Sequence, residues 1–199
     1  LDPGTNVIAN AGTLNLTGTA IRHANGGQGS LTLTNTGTIN KTGAGTFILG
    51  SSPAPEHVAL TNNGTINVNA GTLFYAGGTG TSNGTVNLLA GSTCQTNGAT
   101  MNFASGSTLS GTGTLLTSFG TTNVLMPVHT FAGDVTLTGG SLVINGATTL
   151  SGAYTQTGGT LDGAGTLTLT GVNTYTGATT VNGGTLKVGA TNALSAGSA

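Results

Sequence analysis

Charged side chains are nearly absent from this sequence of 199 residues, which contains three Lys or Arg and four Asp or Glu. The charged fraction is 4%, whereas an ordinary soluble domain carries roughly 25%. With a formal net charge of -1, the chain has no basic surface to neutralise phosphates, which argues against nucleic-acid binding. No apolar run approaches the ~18 consecutive residues of a membrane span, so we expect no membrane insertion of this segment.

Cysteine is also scarce, because Cys94 is the only one in the sequence. No internal disulfide can form, so stability must come from burial and backbone pairing. We expect Cys94 to be a small buried apolar side chain. A long amphipathic helix is excluded, since Gly recurs at short intervals and the abundant Thr and Val disfavour helix.

Polarity comes instead from uncharged residues, with 42 Thr and 19 Asn, while 37 Gly separate short segments. The recurring unit is Gly, then Thr or Ser, then an apolar residue, any residue, and another apolar residue. Apolar residues at i and i+2 are the pattern of a strand with one buried face. Clear copies begin at Gly12, Gly29, Gly45, Gly64, Gly84, Gly140, Gly165 and Gly184.

Three such segments form a unit of roughly 20 residues, a period typical of solenoids. A strand of about five residues buries too little surface by itself, whereas stacked coils continue both the sheet and the core. We therefore predict an all-β parallel β-helix with about three short strands per coil, forming a single β-solenoid of about ten coils over residues 1–199. An antiparallel sandwich is the alternative, although the connections are short and regular for Greek-key crossings.

Three stretches interrupt the period, at residues 18–28, 50–60 and 123–131. They hold much of the unusual chemistry, and we expect them to project as loops from one side of a rigid rod, where function concentrates. Their candidate contact residues are Arg22, His23, Glu56, His57 and His129.

Residues 165–189 read GTLTLTGVNTYTGATTVNGGTLKVG. This stretch resembles the autotransporter-associated β-strand repeat, which occurs in the passenger regions of large Gram-negative surface proteins. The resemblance implies a right-handed parallel β-helix that is exported through the outer membrane and displayed or released outside the cell. The repeat has no catalytic residues to carry over. Residues 1–164 contain similar Gly-Thr-apolar segments but do not match the consensus sequence of the repeat.

Side chains for catalysis are few. Glycoside hydrolysis needs two facing carboxylates, and the only carboxylate side chains are those of Asp2, Glu56, Asp134 and Asp162. The separation of 28 residues between the last two does not match a 20-residue period. The three His residues show no metal-ligand spacing, and no Gly-x-Ser-x-Gly motif precedes a helix. We therefore predict no catalytic residue, no metal and no cofactor.

The sequence thus favours a non-enzymatic, extracellular structural or adhesin-like β-solenoid of a bacterial surface protein. Its partners would be neighbouring coils of the same or an identical chain, and a host or matrix glycan or protein at the loops. Because the chain opens at Leu1 without a signal segment, we expect a mature form or an excised fragment. Since neither end has an evident cap, we expect a part of a longer passenger or a repeating subunit.

The main alternative is a self-assembling subunit of an extracellular fibre or sheath. Neither terminus carries an evident cap, and the low charge would not repel stacked copies. A glycan-active enzyme is a weaker alternative, since the carboxylates are so few. An ice-binding solenoid is weaker as well, because it would need a regular outward Thr array and the Thr pairs are scattered along the sequence.

Overall fold

The computed structural model describes residues 5–22, 30–50, 57–175 and 183–189. Within these ranges the chain forms 22 strands and no helix. Paired strands are parallel and belong to successive coils, giving a β-solenoid of about eight turns with ~21 residues per turn. The predicted fold class is therefore confirmed. No helix that could cross a membrane occurs in the part of the chain that the structure describes.

Each coil has three faces, which we number in chain order. Face 1 contains β1 (Thr5–Asn10), β4 (Ser30–Asn35), β7 (Val58–Asn62), β16 (Ser141–Ile144) and β19 (Thr160–Asp162). Face 2 contains β2 (Thr13–Leu16), β5 (Thr38–Lys41), β8 (Thr65–Val68), β10 (Thr85–Leu88), β12 (Thr108–Gly111), β14 (Val128–Phe131), β17 (Ala147–Leu150), β20 (Thr166–Leu169) and β22 (Thr185–Val188). Face 3 contains β3 (Ala20–Ile21), β6 (Thr46–Gly50), β15 (Asp134–Leu137), β18 (Tyr154–Gln156) and β21 (Asn173–Tyr175). Three long strands run from face 3 into face 1 of the next coil: β9 (Thr72–Ser82), β11 (Thr93–Phe103) and β13 (Thr114–Val124).

The coils become shorter along the chain. Asn10, Asn35 and Asn62 occupy the same position in the first three coils and are 25 and 27 residues apart. In the last coils the spacing is 19 residues, since Thr166 pairs with Thr185. The extra residues of the first coils stand between β3 and β4 and between β6 and β7 in the sequence. They account for part of the difference between the about eight turns of the described residues and the about ten expected over residues 1–199 from a uniform period.

The core consists of files of apolar side chains that run along the solenoid axis. On face 2, the parallel register places Ile39, Ile66, Val86 and Leu109 directly above one another, and each is at most 2% exposed. The residues between them in each strand point outward, as the alternating motif requires. Full burial of each such side chain contributes ~1.5–3 kcal/mol, so stacking of coils supplies the hydrophobic free energy that a single coil lacks.

Residues 123–131 differ from the projecting loop that we expected. They comprise the end of β13, a short connection at residues 125–127, and β14. Val124, Met126 and Phe131 are all buried in the core, which holds this segment inside the stack. Face 2 is divided here into a five-stranded sheet ending at β12 and a four-stranded sheet beginning at β14. Pro127, which has no N–H to donate to a ladder, lies just before β14.

Candidate functional site

The described ends of two of the predicted loop segments, Arg22 of segment 18–28 and His57 of segment 50–60, flank one corner of the solenoid. Arg22 follows β3 on face 3, and His57 precedes β7 on face 1. Because β3 pairs with β6 and β4 pairs with β7, these two residues flank the same corner in consecutive coils. Arg22 and His57 are both exposed, while His23 and Glu56 lie outside the described residues. We call the exposed pair, Arg22 and His57, the corner patch.

His129 does not join the corner patch, because it packs into the interior from β14. Its ring stacks on that of Phe131, with centroids 6.4 Å apart and planes inclined by 19°. It pairs with Thr148 on β17. Among the described residues, neither His129 Nε2 nor Thr148 Oγ1 has a hydrogen-bond partner, and both atoms are buried. Desolvation lowers the pKa of His129, so this half-buried side chain is neutral at neutral pH.

We expect mild acid to destabilise the protein through His129. Because burial lowers its folded-state pKa below the ordinary value of 6.5, the unfolded chain binds this proton more tightly than the folded chain does. The contribution of His129 to stability is therefore complete above about pH 6.5 and is lost as the pH falls toward the lower folded-state pKa. Replacement His129→Leu should reduce this pH dependence and raise the free energy of unfolding at pH 5.5 by ~1–2 kcal/mol.

Urea unfolding at pH 5.5 and pH 7.5 measures the effect of His129→Leu. The matched control is His57→Leu, which makes the same substitution at an exposed position where no buried polar atom is removed. An equal loss of pH dependence in the two variants would contradict the interior role of His129.

The described carboxylates do not form a catalytic pair. Asp134 lies on face 3, where its Oδ1 accepts a hydrogen bond of 2.8 Å from the Ala153 N–H. Asp162 lies on face 1, where its Oδ1 accepts one of 2.7 Å from the Gly163 N–H. Both side chains are exposed and secure the backbone at corners. Among the described residues, no group of three His, Cys, Asp or Glu could hold a metal ion.

Two reactive side chains are buried inside the solenoid. Cys94 is buried as expected, and burial raises the pKa of its thiol to about 12, so the thiol is protonated and unreactive at neutral pH. Lys41, which sequence reasoning did not single out, points inward in a file with Leu16 and Val68. Its Nζ donates hydrogen bonds to the carbonyl oxygens of Gly43 and Ala70, and burial lowers its pKa.

The most regular polar feature of the interior is a column of side chains at the corner between face 1 and face 2. Asn10 Nδ2 donates to Asn35 Oδ1 at 2.7 Å, and Asn35 Nδ2 donates to Asn62 Oδ1 at 2.7 Å. The column ends where Asn62 Nδ2 donates to Ser82 Oγ at 2.9 Å. We call these four residues the inner asparagine ladder. The spacing Asn-x-Gly-Thr at residues 10, 35 and 62 is the sequence signal that could have found it.

The inner asparagine ladder also satisfies the backbone of the corner. Each amide donates to the carbonyl oxygen of a Thr in the next coil, namely Thr38, Thr65 or Thr85. Asn35 and Asn62 are fully buried, and a buried amide needs such partners to offset its desolvation. The ladder therefore fixes the register of the first four coils.

A second column of amides runs along the outside of face 2, and we call it the outer asparagine ladder. Asn40 Nδ2 donates to Asn15 Oδ1 at 3.1 Å, and Asn67 Nδ2 donates to Asn40 Oδ1 at 3.0 Å. Beside it, the register aligns Thr residues that are scattered in the sequence. This file contains Thr13, Thr38, Thr65, Thr85 and Thr108. Face 2 of the first five coils thus presents an uncharged, hydrogen-bonding outer surface.

Comparison with known proteins places a named repeat at the C-terminal end of the described solenoid. Residues 162–188 match the family model of the passenger-associated-transport-repeat, in agreement with the resemblance found in the sequence. The match includes β20, β21 and β22, and β20 and β21 pair with the preceding coil in the same parallel register as the other coils. No curated protein and no solved structure matches the chain.

Proposed function

We propose that this chain is a non-enzymatic structural module of a Gram-negative surface protein, a passenger-type solenoid that stands outside the cell and presents a contact surface. The observation that carries the proposal is the passenger-associated-transport-repeat at residues 162–188. Its described strands β20, β21 and β22 belong to the same continuous stack as the other described coils. A module of this kind acts through its length and rigidity, because each coil supports only its neighbours.

The chemistry of the described residues supports a structural role. Asp134 and Asp162 lie on different faces and hold backbone N–H groups. The Cys94 thiol is in the core, and the Nε2 atom of His129 is buried. These four side chains are thus engaged in folding the chain, in agreement with a module that binds and does not react.

The corner patch is the contact surface that we propose. Its residues are exposed at the corner where the first two coils carry their extra residues, and such insertions on a regular solenoid are where binding residues concentrate. The partner would be a host or matrix glycan or protein. His23 and Glu56, in the same two segments, remain predicted members of this surface.

Surface labelling tests the proposed location. Antibodies raised against the purified chain should label intact cells of the bacterium that makes it, and protease added to those cells should remove the label. A periplasmic protein of the same cells, which should be labelled only after permeabilisation, is the control. Labelling of the chain only after permeabilisation would overturn the proposal.

Binding to a panel of immobilised matrix proteins and glycans tests the corner patch. The double replacement Arg22→Ser and His57→Ser should abolish binding to whichever surface the parent chain recognises. The replacement Lys187→Ser, which removes an exposed cation from face 2 far along the chain, is the matched control and should leave binding unchanged. Equal binding by the two variants would show that the contact surface lies elsewhere.

A further inference from the structure

Phe119 is a large apolar side chain that the fold places on the outside of the solenoid. Along β13 the alternation buries Thr117, so residue 119 would be the next inward position. Instead, Phe119 is 65% exposed. The cause is a β-bulge, because Asn97 of β11 pairs with Phe119 and Ser118 before it is the extra residue. Bulges of this kind re-aim side chains and are common beside functional sites.

Phe119 lies on the same edge of the solenoid as the corner patch. The part of β13 before it pairs with β15 on face 3, and the part after it pairs with β16 on face 1. The next coil turns this corner through Gly139 and Gly140. An added Cβ on Gly139 would lie 2.4 Å from Ser118 O, so the two coils are in close contact here. These glycines have no side chain that could cover the ring of Phe119.

Three polar side chains beside Phe119 hold one another in place. Ser118 Oγ accepts a hydrogen bond of 2.9 Å from Gln95 Nε2 and one of 3.0 Å from Asn97 Nδ2. It also donates to the carbonyl oxygen of Thr96 at 3.3 Å. Gln95 Oε1 and Asn97 Oδ1 accept no hydrogen bond from the described residues, and both side chains are half-buried. We call Gln95, Asn97, Ser118 and Phe119 the Phe119 platform.

The chemistry of the Phe119 platform fits a neutral sugar. A sugar ring has an apolar C–H face that packs on an aromatic ring, and hydroxyl groups at its edge that donate to amide oxygens. The platform carries no charge to pair with an ionic ligand. Asp134, the charged residue of the neighbouring β15, pairs with Thr114 at the other end of face 3.

The area of the platform is too small for a protein partner. A stable protein interface buries ~800 Å² on each partner, whereas one aromatic side chain buries about 150–250 Å². Phe74 and Leu116, which pair with Gln95 from the adjacent strands, are half-buried and add little to this area. A sugar ring, by contrast, is matched by a single aromatic side chain with hydrogen-bonding groups beside it.

We propose that the Phe119 platform binds a neutral polysaccharide, with one sugar ring stacked on Phe119 and its hydroxyl groups donating to Gln95 Oε1 and Asn97 Oδ1. This inference rests on the proposed function, because it names the ligand class of the edge that also carries the corner patch. The polysaccharide runs along this edge and contacts both the platform and the corner patch. A short free oligosaccharide covers the platform alone.

Saturation-transfer NMR with neutral trisaccharides tests the platform separately from the corner patch. The probes are cellotriose, maltotriose and chitotriose. At least one should bind the parent chain, and Phe119→Ala should weaken that binding by about tenfold or more, whereas Phe119→Tyr keeps the stacking surface and should bind like the parent. The variant with Arg22→Ser and His57→Ser should also bind like the parent, so that failure of the corner patch leaves this result unchanged.

Two outcomes of the trisaccharide experiment would overturn the proposal. One is that none of the three probes binds the parent chain, and the other is that the Phe119→Ala variant binds as tightly as the parent. If Phe119→Ala abolished binding to a matrix protein while no trisaccharide bound, the platform would be a protein contact and the assignment to a sugar would be wrong.

A fluorescent reporter at the site gives a test that does not remove the aromatic ring. The sequence contains no Trp, so Phe119→Trp gives the protein a single indole at the platform. Its emission should move to shorter wavelength and saturate as the bound trisaccharide covers the ring. Val128→Trp, at a residue that is 80% exposed on face 2, is the matched control and should show no shift. Equal shifts in the two variants would contradict a site at Phe119.

Discussion

Replacement Gly64→Ala is expected to lower the free energy of unfolding by ~3 kcal/mol or more, since it forces a side chain into the backbone of the neighbouring coil. An added Cβ would lie 2.1 Å from Gly37 O and 2.7 Å from Thr36 C. Neither atom can retreat, because the Thr65 N–H donates to that same Gly37 oxygen at 2.9 Å. The loss of stability comes from a steric clash between neighbouring coils, so its size measures how closely the coils stack.

Gly106→Ala is the matched control for Gly64→Ala, because an added Cβ at Gly106 meets nothing within 4 Å. It should change the free energy of unfolding by less than ~0.5 kcal/mol. Gly91→Ala measures the backbone strain of a positive φ without any steric contact. Gly91 also has open space around it but has a φ of 77°, so the replacement should cost ~1 kcal/mol. Urea unfolding of the three variants measures their free energies of unfolding, which should decrease from the Gly106 variant through the Gly91 variant to the Gly64 variant. Equal stability of the Gly64 and Gly106 variants would contradict the close approach of the coils.

Replacement Asn62→Ala is expected to cost ~2–4 kcal/mol, because it interrupts the inner asparagine ladder in the middle. Asn62 accepts from Asn35 Nδ2 and donates to Ser82 Oγ and to the Thr85 carbonyl oxygen. The side chain is fully buried, so water does not replace these partners. Each buried polar group left without a partner costs ~1–3 kcal/mol.

Asn40→Ala makes the equivalent change in the outer asparagine ladder, where solvent can take the place of the lost hydrogen bonds. It should cost less than ~1 kcal/mol. Thermal unfolding of the two variants, together with the parent, compares an inner and an outer amide in the same fold. If the Asn40 variant lost as much stability as the Asn62 variant, the ladder inside the solenoid would not be what sets the register.

The fold class can be predicted from the local sequence pattern alone. Apolar residues at i and i+2 after each Gly fix which side chains point inward, and the short, even spacing of these motifs favours stacking over a sandwich. The register is also readable, because Asn-x-Gly-Thr recurs at residues 10, 35 and 62. Hydrogen bonds between the Asn side chains then hold successive coils in the same alignment.

Other features are not readable from local pattern, because they depend on what lies in the neighbouring coil. The segment around His129 has the polar and Pro residues of a loop, yet the buried side chains of Val124 and Phe131 anchor it to the core. Lys41 occupies an inward position because carbonyl groups of two corners accept its ammonium protons. The described residues form about eight turns, and the unequal length of the coils, 25 and 27 residues at the start and 19 at the end, cannot be read from a uniform period. The position of Arg22 and His57 at the same corner likewise depends on the pairing of β3 with β6 and of β4 with β7.

The distance between spin labels at Thr13 and Thr108 tests most directly whether the chain is a stack of coils in this register. The two exposed residues are joined by four strand-to-strand steps, through Thr38, Thr65 and Thr85. Buried Cys94, with its thiol pKa raised to about 12, should not take up the label. Electron paramagnetic resonance of the doubly labelled Cys variants should give one narrow distance near ~19 Å, from ~4.8 Å per step. A broad distribution, or a distance about twice as long, would contradict the stacked solenoid on which the proposed function is based.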